Sequence, residues 1–320
     1  MSNNLLEVTE LKKHFRINKR TVIRAVDGVS FAIKRGSTLG LVGESGCGKT
    51  TVGRLLLRLY SPDSGNIYFD NSNISHITRS QSKSITKKVQ MVFQDPYSSL
   101  NPFLTVRQII NDGIRLHRLF SSVKEESERV TELLELVGLS MLQADCFPYE
   151  LSGGQRQRVG IARALALNPQ FIVCDEVISA LDVSMQAQII NLLLSLQESL
   201  GLTYLFISHD LNVVQHISDT IAVMYLGTIV EYGNALEVFN RPLHPYTKSL
   251  VSSIPIADPI IERNRNTSII GDVPNAEVSF AGCRFSKRCR FATPACYANS
   301  PTLRDVGGGH LVFCHHNDAL

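Results

Sequence analysis

The sequence has no uninterrupted apolar run long enough to cross a membrane as a helix. The best candidate, residues 189–207, is broken by Asn191, Gln197, Glu198 and Gly201. The first residues, Met-Ser-Asn-Asn, lead straight into a mixed polar segment, and no secretory signal is visible. We therefore expect a soluble protein that reaches a membrane only through partners.

A large excess of charge is missing as well. The chain has 32 Lys and Arg against 29 Asp and Glu in 320 residues, a formal net charge of +3. That excess is too mild to indicate nucleic-acid binding. No internal repeat and no heptad run occurs, whereas 44% hydrophobic residues indicate a packed core. The length allows one large domain with an appendage, or two domains.

Seven cysteines fall into two groups. Three are scattered, and we expect each to be buried or half-buried: Cys47, Cys146 and Cys174. Four crowd the C-terminal end: Cys283, Cys289, Cys296 and Cys314. In a cytosolic chain such a group suggests metal binding before disulfides.

One glycine-rich loop, Gly43–Thr50, has the pattern G-x-x-x-x-G-K-[ST], and we call it the phosphate loop. It follows an apolar run, residues 38–42, that predicts a buried strand, and it precedes a helical pattern over residues 51–59. Backbone N–H groups and the helix N-terminus would cradle phosphate, with Lys49 at the β- and γ-phosphates and Thr50 on Mg²⁺. A chance turn before a core helix is the alternative. The candidate nucleotide contacts are Gly43, Glu44, Ser45, Gly46, Cys47, Gly48, Lys49, Thr50 and Thr51.

A second candidate for this chemistry is an apolar strand, residues 171–174, that runs into Asp175 and Glu176. Ligands of open α/β sheets bind at the carboxyl ends of strands. Beside a phosphate loop, Asp175 would hold Mg²⁺ and Glu176 would orient the attacking water. The alternative is an acidic strand end in an ordinary loop.

A third feature, Leu151–Gln155, places a serine and two glycines before a helical pattern. The N-terminus of this predicted helix is a second place where backbone N–H groups could bind phosphate. Two such loops in one subunit cannot easily reach the same γ-phosphate. We expect this loop, with Ser152, Gly153, Gly154 and Gln155, to serve a nucleotide held by a facing subunit.

The order of predicted elements, strands alternating with helices, indicates an α/β fold with a mostly parallel sheet. Residues 5–15 are expected to form an edge strand, and residues 22–33 a hairpin that turns at Asp27-Gly28. A helical insert is predicted over residues 97–167. Within it, a capping box at Ser122 begins a helix that ends near Gly138.

With these motifs in order, the chain resembles the nucleotide-binding subunit of an ABC transporter. Leu151–Gln155 matches the family signature, Ser179–Asp182 its D-loop, Gln94 its glutamine loop and His209 its switch histidine. The resemblance covers residues 5–253. It implies a P-loop NTPase ABC domain over residues 1–254, with a RecA-like core, an N-terminal antiparallel β subdomain and a helical subdomain, and a Cys-rich extension over residues 255–320.

The resemblance also implies roles. Two subunits would face head to tail, with ATP between the phosphate loop of one and Ser152-Gly153 of the other. Glu176 would be catalytic by polarising the water that attacks the γ-phosphate, and His209 would contact that phosphate. Gln94 would sense nucleotide and Mg²⁺. Phe15 would stack on adenine, with an ordinary core or surface role as its alternative. Val177 stands where the family usually has proline, so we expect equal or slower turnover.

The segment Arg241–Thr247 resembles the C-terminal extension of oligopeptide, dipeptide and nickel importers. That branch implies ATP-driven import of di- or oligopeptides, with nickel or a related solute as the alternative. The implied partners are two permease subunits, a second ATPase subunit in a heterodimer and, indirectly, an extracytoplasmic solute-binding protein, without nucleic acid. The implied location is the cytoplasmic face of the cell membrane.

Soluble ABC ATPases that act on nucleic acid or ribosomes form another class, but their usual coiled-coil insertion or second cassette is missing from this sequence. A nucleotide switch without turnover is disfavoured by Lys49, Asp175, Glu176 and His209.

The four C-terminal cysteines are spaced C-x5-C-x6-C-x17-C, unlike zinc ribbons or common ferredoxins. Spacing alone leaves iron–sulfur, zinc and reduced thiols open. Some peptide-importer ATPase subunits carry a [4Fe-4S] cluster on a similar quartet, so the resemblance implies that cluster, with Zn²⁺ as the alternative. His310, His315 and His316 are expected to be solvated rather than ligands.

Overall fold

The computed structural model describes residues 3–18, 21–254 and 281–316, and for residues 79 and 80 only the backbone. It divides into two compact units. The first unit comprises residues 1–33, 38–76 and 207–320, and the second comprises residues 34–37 and 77–206. Among the described residues, no helix combines the length and the apolar content needed to span a membrane.

The strands are β1 (Asn4–Arg16), β2 (Val22–Lys34), β3 (Thr38–Val42), β4 (Ser64–Phe69), β5 (Ser72–Asn73), β6 (Val89–Val92), β7 (Phe171–Asp175), β8 (Thr203–Ser208), β9 (Thr220–Tyr225), β10 (Thr228–Asn234), β11 (Leu303–Asp305) and β12 (Leu311–Phe313). The helices are α1 (Lys49–Leu56), α2 (Arg79–Lys88), α3 (Pro96–Ser99), α4 (Val106–Leu116), α5 (Val123–Leu136), α6 (Gly153–Leu165), α7 (Val183–Leu200), α8 (Leu211–Ile217), α9 (Ala235–Asn240), α10 (Pro245–Ser252) and α11 (Pro294–Ala298). In the described part of the chain, short 3₁₀ helices cover Met141–Asp145 and Pro148–Glu150.

The N-terminal sheet of the first unit is four-stranded, in the order β2-β1-β4-β5. β1 is therefore an inner strand, and the prediction of an edge strand is wrong. β1 pairs antiparallel with β4, and the register shifts between Thr9 and Lys12, where Glu10 has a φ of 48°. This irregularity explains the loose alternation in the sequence, because a bulge moves the following side chains to the other face.

The predicted hairpin over residues 22–33 is also wrong, since β2 runs unbroken through Asp27-Gly28. Gly28 has a φ of 81°. Glycine can adopt this positive φ within a strand as well as in a turn. The N–H of Asp27 donates to the carbonyl of Gly227, 2.8 Å away. The Asp-Gly pair therefore fits a long strand to the β9–β10 turn instead of reversing the chain.

A second group of strands in the first unit has the order β11-β12-β10-β9-β3. β3 is parallel to β9, with Leu41 opposite Ala222, and is buried along its whole length. β10 is antiparallel to β9, and β12 is antiparallel to β10, with Tyr232 opposite Leu311. The C-terminal hairpin β11–β12 thus extends the sheet that carries the phosphate loop.

The second unit contains the parallel pair β6 and β7, with Met91 opposite Val173. Its helices α3 to α6 occupy most of the segment predicted as a helical insert. α5 begins after a capping box formed by Ser122 and Glu125 and ends just before Gly138, which confirms that prediction. α2 was not predicted, because its residues, RSQSKSITKK, carry little apolar periodicity. The domain boundary at residue 254 stays a prediction, and residues 255–280 lie outside the described part of the chain.

Candidate functional site

The phosphate loop joins β3 to α1 in the first unit, as the sequence predicts. α1 begins at Lys49, and Gly48 before it has a φ of 108°. The Lys49 side chain is only 4% exposed and folds back over the loop. Its Nζ donates to the carbonyl oxygens of Gly43 at 2.7 Å and Glu44 at 3.0 Å. The ammonium group is therefore held inside the curl of the loop, where backbone N–H groups and the start of α1 also favour an anion.

Two glycines of this loop have no room for a side chain. A Cβ at Gly43 would lie 2.1 Å from the Met224 carbonyl oxygen, and a Cβ at Gly48 would lie 2.0 Å from that of Ala25. Both have positive φ values, 152° and 108°. The loop is thus a cradle in which backbone, rather than side chains, forms the wall.

The three scattered cysteines lie as predicted, with Cys47 and Cys174 buried and Cys146 half-buried. Cys47 lies in the phosphate loop, and its Sγ is 3.8 Å from Lys49 Nζ. Burial raises the pKa of the Cys47 thiol, so the thiol stays neutral and acts as packing.

His209 and Phe15 also belong to the first unit. His209 is exposed at the end of β8 and lines a cleft of about 260 Å³ with residues of α8 and with Leu250, Ser253 and Ile254. Phe15, on β1, is half-buried, and its ring makes an edge-to-face contact with the Tyr60 ring at a centroid distance of 5.4 Å. The assignments of His209 to phosphate and Phe15 to adenine stay predictions.

In the second unit, the structure brings together two predicted catalytic residues that are 82 positions apart. Gln94 Nε2 donates to Glu176 Oε2 at 2.7 Å. Glu176 has a φ of 47°, an uncommon conformation for a non-glycine residue, directly after β7. Asp175, the last residue of β7, is buried. The strand end therefore presents one buried and one half-buried carboxylate, the second of which is oriented by an amide.

The Leu151–Gln155 loop begins α6. Ser152 is the N-cap: its Oγ accepts from the Gln155 N–H at 3.3 Å, and Gln155 Oε1 accepts from the Ser152 N–H at 2.9 Å. Ser152 and Gly153 are exposed, and the assignment of this loop to a facing subunit stays a prediction. Gly154 is buried, and a Cβ there would lie 1.6 Å from Met185 Cε of α7.

The predicted [4Fe-4S] cluster and its zinc alternative are wrong. Across residues 3–18, 21–254 and 281–316, no three His, Cys, Asp or Glu side chains come together as a metal site would require. The four cysteines have protein surroundings instead. Cys296 Sγ lies 3.5 Å from His316 Nε2, and Cys314 Sγ accepts from the His316 N–H. Burial raises the pKa of Cys283 to about 11, which keeps that thiol protonated.

The expectation of solvated histidines near Cys314 is wrong for His310 and is met only in part by His315 and His316. His310 is buried, and its Nε2 lies 2.8 Å from Glu231 Oε1. His315 and His316 are half-buried, and their Nε2 atoms lie 3.0 Å from the Asn299 carbonyl oxygen and 3.2 Å from Thr293 Oγ1. The fold packs this tail against β10, which the spacing of residues could not reveal.

Sequence reasoning missed a buried carboxylate that organises the segment before α10. Glu231 is fully buried on β10. It accepts from the backbone N–H groups of Leu243 at 2.8 Å and His244 at 2.9 Å, besides its contact with His310. His244 in turn caps α10, because its Nδ1 accepts from the Tyr246 N–H at 3.0 Å. The Pro-containing sequence Arg241–Thr247 was the available signal.

This buried cap makes stability depend on pH. Burial lowers the pKa of His244 to about 4, against the opposing effect of Glu231. The pKa of a histidine in the unfolded chain is about 6.5, so between these two pKa values the unfolded chain binds a proton at His244 and the folded chain does not. Unfolding free energy should therefore fall by about 2–3 kcal/mol between pH 7 and pH 4.5 through this residue. Urea unfolding at both pH values would measure it.

The matched variant is His244→Asn, which keeps an acceptor for the cap but does not titrate. It should flatten the pH dependence by that amount. An unchanged slope in His244→Asn would contradict the assignment.

Comparison with known proteins gives a consistent picture. The family described as "ABC transporter" matches residues 26–179, and the family described as "Oligopeptide/dipeptide transporter, C-terminal region" matches residues 230–296. The putative oligopeptide transport ATP-binding protein YkfD of Bacillus subtilis is 51% identical over 312 residues, which are 97% of this chain and 95% of that protein. The oligopeptide transport ATP-binding protein OppF of the same organism is 55% identical over 267 residues, which are 83% of this chain and 87% of the OppF chain.

Solved structures are similar as well. A dimeric ATP-binding cassette in a post-hydrolysis state, bound to ADP and phosphate, has a TM-score of 0.66 at 31% identity and covers 72% of this chain and 98% of its own. The cbiO1 protein of Clostridium perfringens, part of the cbiONQ ABC transporter complex, has a TM-score of 0.67 at 29% identity. The match covers 75% of this chain and 92% of the cbiO1 chain. The predicted fold class, an α/β ABC cassette with an N-terminal antiparallel sheet, is confirmed.

Proposed function

The chain belongs to the ABC transporter ATP-binding proteins and is an ATPase of that type, and from this premise we propose that it powers the import of peptides through a membrane permease. The observation that carries the proposal is similarity along the whole chain. Relatives at 45–55% identity, each covering at least 83% of this chain, are named as oligopeptide transport or peptide import ATP-binding proteins or as a probable peptide transporter component.

The phosphate loop supports ATP as the substrate. Gly43 and Gly48 have no space for a side chain and Lys49 is buried, so backbone N–H groups and the Lys49 ammonium are the groups that this loop offers to an anion. We assign Lys49 to the β- and γ-phosphates, with Gly43 to Thr51 around them. Phe15 is assigned to adenine. Ser152 to Gln155 are assigned to the nucleotide of a facing subunit, and the exposure of Ser152 and Gly153 supports this assignment.

Oxygen donors of the kind that Mg²⁺ takes are supplied by Thr50, Gln94 and Asp175. Mg²⁺ held by them would neutralise charge on the phosphates during transfer. Glu176 is assigned to the attacking water. It accepts the water's hydrogen bond and then its proton, while the oxygen attacks the γ-phosphorus and the bond to the ADP oxygen breaks. The Gln94 amide keeps the Glu176 carboxylate oriented for that task. His209 is assigned to the γ-phosphate.

A peptide importer of this family implies membrane permease partners. We further propose two permease subunits, pairing with a second, related ATPase subunit, and a position on the cytoplasmic face of the membrane. An extracytoplasmic solute-binding protein would deliver the peptide.

The test is transport by the whole complex. The chain, co-expressed with its permeases, partner ATPase and binding protein, is placed in proteoliposomes with ATP on the ATPase side. We expect ATP-dependent uptake of a labelled tripeptide and stimulation of ATPase activity by that peptide. Uptake of Ni²⁺ without peptide uptake would overturn the peptide assignment, and ATPase activity that responds to neither solute would overturn the import function.

A further inference from the structure

The phosphate loop is tied to the C-terminal region, residues 281–316, by a two-point ion pair. Arg288 Nη1 donates to Glu44 Oε2 at 2.7 Å, and Nη2 donates to Glu44 Oε1 at 3.0 Å. The side chains are only 7% and 22% exposed. A bidentate pair with this little solvent contact is stronger and more specific than an ordinary surface pair.

The backbone of Glu44 is held as well. Its N–H donates to the Tyr246 hydroxyl oxygen at 2.9 Å. Tyr246 packs against Tyr225 and Phe285, with centroid distances of 4.7 and 5.5 Å. The guanidinium of Arg288 lies 5.8 Å from the Tyr225 ring centroid. Glu44 is thus fixed at both its backbone and its carboxylate by groups outside the loop.

The segment that carries Arg288 is itself held in place by other contacts. Arg284, four residues earlier, donates to the Asp27 carboxylate and to the Leu226 carbonyl oxygen. Strand β12 of the same region pairs with β10. Arg288 Nε is buried and has no hydrogen-bond partner within the described residues. Its Nη1 also donates to the Tyr225 hydroxyl oxygen at 3.4 Å, so Glu44 and the Tyr225 side chain together hold this guanidinium.

The consequence for the loop is electrostatic and positional. A carboxylate in a loop that binds a polyanion repels it by Coulomb's law, and low solvent exposure strengthens the repulsion. Arg288 cancels that charge. The carbonyl of Glu44 also accepts from Lys49 Nζ, so the position of residue 44 bears on the position of the ammonium group.

We propose that Arg288 is a positioning residue for ATP: it neutralises and holds Glu44, so that the C-terminal region sets the ATP affinity of the phosphate loop. The proposal rests on the proposed function, in which this loop binds ATP. It gives the C-terminal region a part in nucleotide binding without any contact with the nucleotide.

The test compares steady-state ATPase kinetics of the assembled complex carrying wild-type chain, Arg288→Gln, or Arg288→Gln with Glu44→Gln. Arg288→Gln leaves a carboxylate uncompensated, so it should raise KM for ATP about tenfold and change kcat less than twofold. Removing that carboxylate in the double variant should lower KM for ATP at least threefold relative to Arg288→Gln. Lys287→Gln, which removes one charge at the exposed neighbouring position, is the control and should keep the wild-type KM.

Several outcomes would overturn the proposal. A wild-type KM in Arg288→Gln would do so, even if its thermal unfolding midpoint fell, because the residue would then serve stability alone. A double variant no better than Arg288→Gln would contradict neutralisation. If Arg288→Gln does not fold, Arg288→Lys keeps the cation and should hold KM within threefold of wild type; a tenfold rise would contradict the charge argument. A wild-type complex that hydrolyses no ATP would instead refute the proposed function.

Discussion

Glu176→Gln in the assembled complex is expected to lower kcat for ATP hydrolysis about 10³-fold, within the range for loss of a general base. Glutamine keeps the size of the side chain, and its carbonyl oxygen can still accept from Gln94 Nε2, which now lies 2.7 Å from Glu176 Oε2. Position is retained while basicity is lost. KM for ATP should therefore change little, and phosphate release measured over a range of ATP concentrations separates the two constants.

The matched control for this variant is Glu198→Gln, the same substitution at an exposed position of α7 in the same unit. It should hydrolyse ATP at the wild-type rate. A Glu176→Gln complex that keeps more than about a tenth of wild-type kcat would remove Glu176 from the catalytic role.

The conformation of Glu176 bears on the same step. Its φ of 47° is uncommon for a residue with a side chain, and such conformations persist where the surroundings impose them. Val177, which follows it, is buried. Whether valine in place of the family's usual proline slows turnover remains a prediction, with equal or slower turnover expected.

Gly48→Ala is expected to abolish measurable ATP binding, with Kd raised at least about 100-fold, or more than about 2.7 kcal/mol. The new Cβ would lie 2.0 Å from the Ala25 carbonyl oxygen, and Gly48 has a φ of 108°. Neither can be relieved by rotating a side chain, because the obstacle is backbone. The loop must open at the residue just before α1, and its backbone N–H donors no longer point toward one site. Isothermal titration calorimetry with Mg²⁺-ATP measures the effect.

Gly36→Ala is the control for the conformational part of that loss. Gly36 also has a positive φ, 73°, but a Cβ there meets nothing within 4 Å. It should lower the free energy of unfolding by about 1 kcal/mol and leave ATP affinity unchanged. If Gly48→Ala binds ATP as tightly as Gly36→Ala, the close approach of Ala25 is not what shapes the cradle.

Elements with strong local signals could be predicted from the sequence. The strand–loop–helix around Gly43–Thr50 is one, because eight consecutive residues carry the pattern. Helix α5 is another, because Ser122, Glu125 and Gly138 mark its ends. Asp175 and Glu176 were found for the same reason, at the end of a short apolar strand. In these cases the chemistry and the backbone geometry arise from the same few neighbours.

The failures share a different cause. Asp-Gly at residues 27 and 28 is a turn signal, yet the chain continues as β2, and the Asp27 N–H bonds to the carbonyl of Gly227 in the β9–β10 turn, which is 200 positions away along the chain. β1 resembled an edge strand, and only its two neighbours show that it lies inside the sheet. The spacing of the C-terminal cysteines carries no information on where their side chains point, and burial keeps the Cys283 thiol protonated.

The sequence by itself determined the nucleotide chemistry of this protein, since phosphate recognition is built from backbone N–H groups and glycines within one loop. It also determined the identity of the residues proposed for hydrolysis. Only the tertiary structure decided how those residues are held. Gln94 meets Glu176 across 82 positions, and Arg288 meets Glu44 across 244. Such pairs depend on how strands are ordered and how the tail docks, and no local pattern of residues encodes that distance.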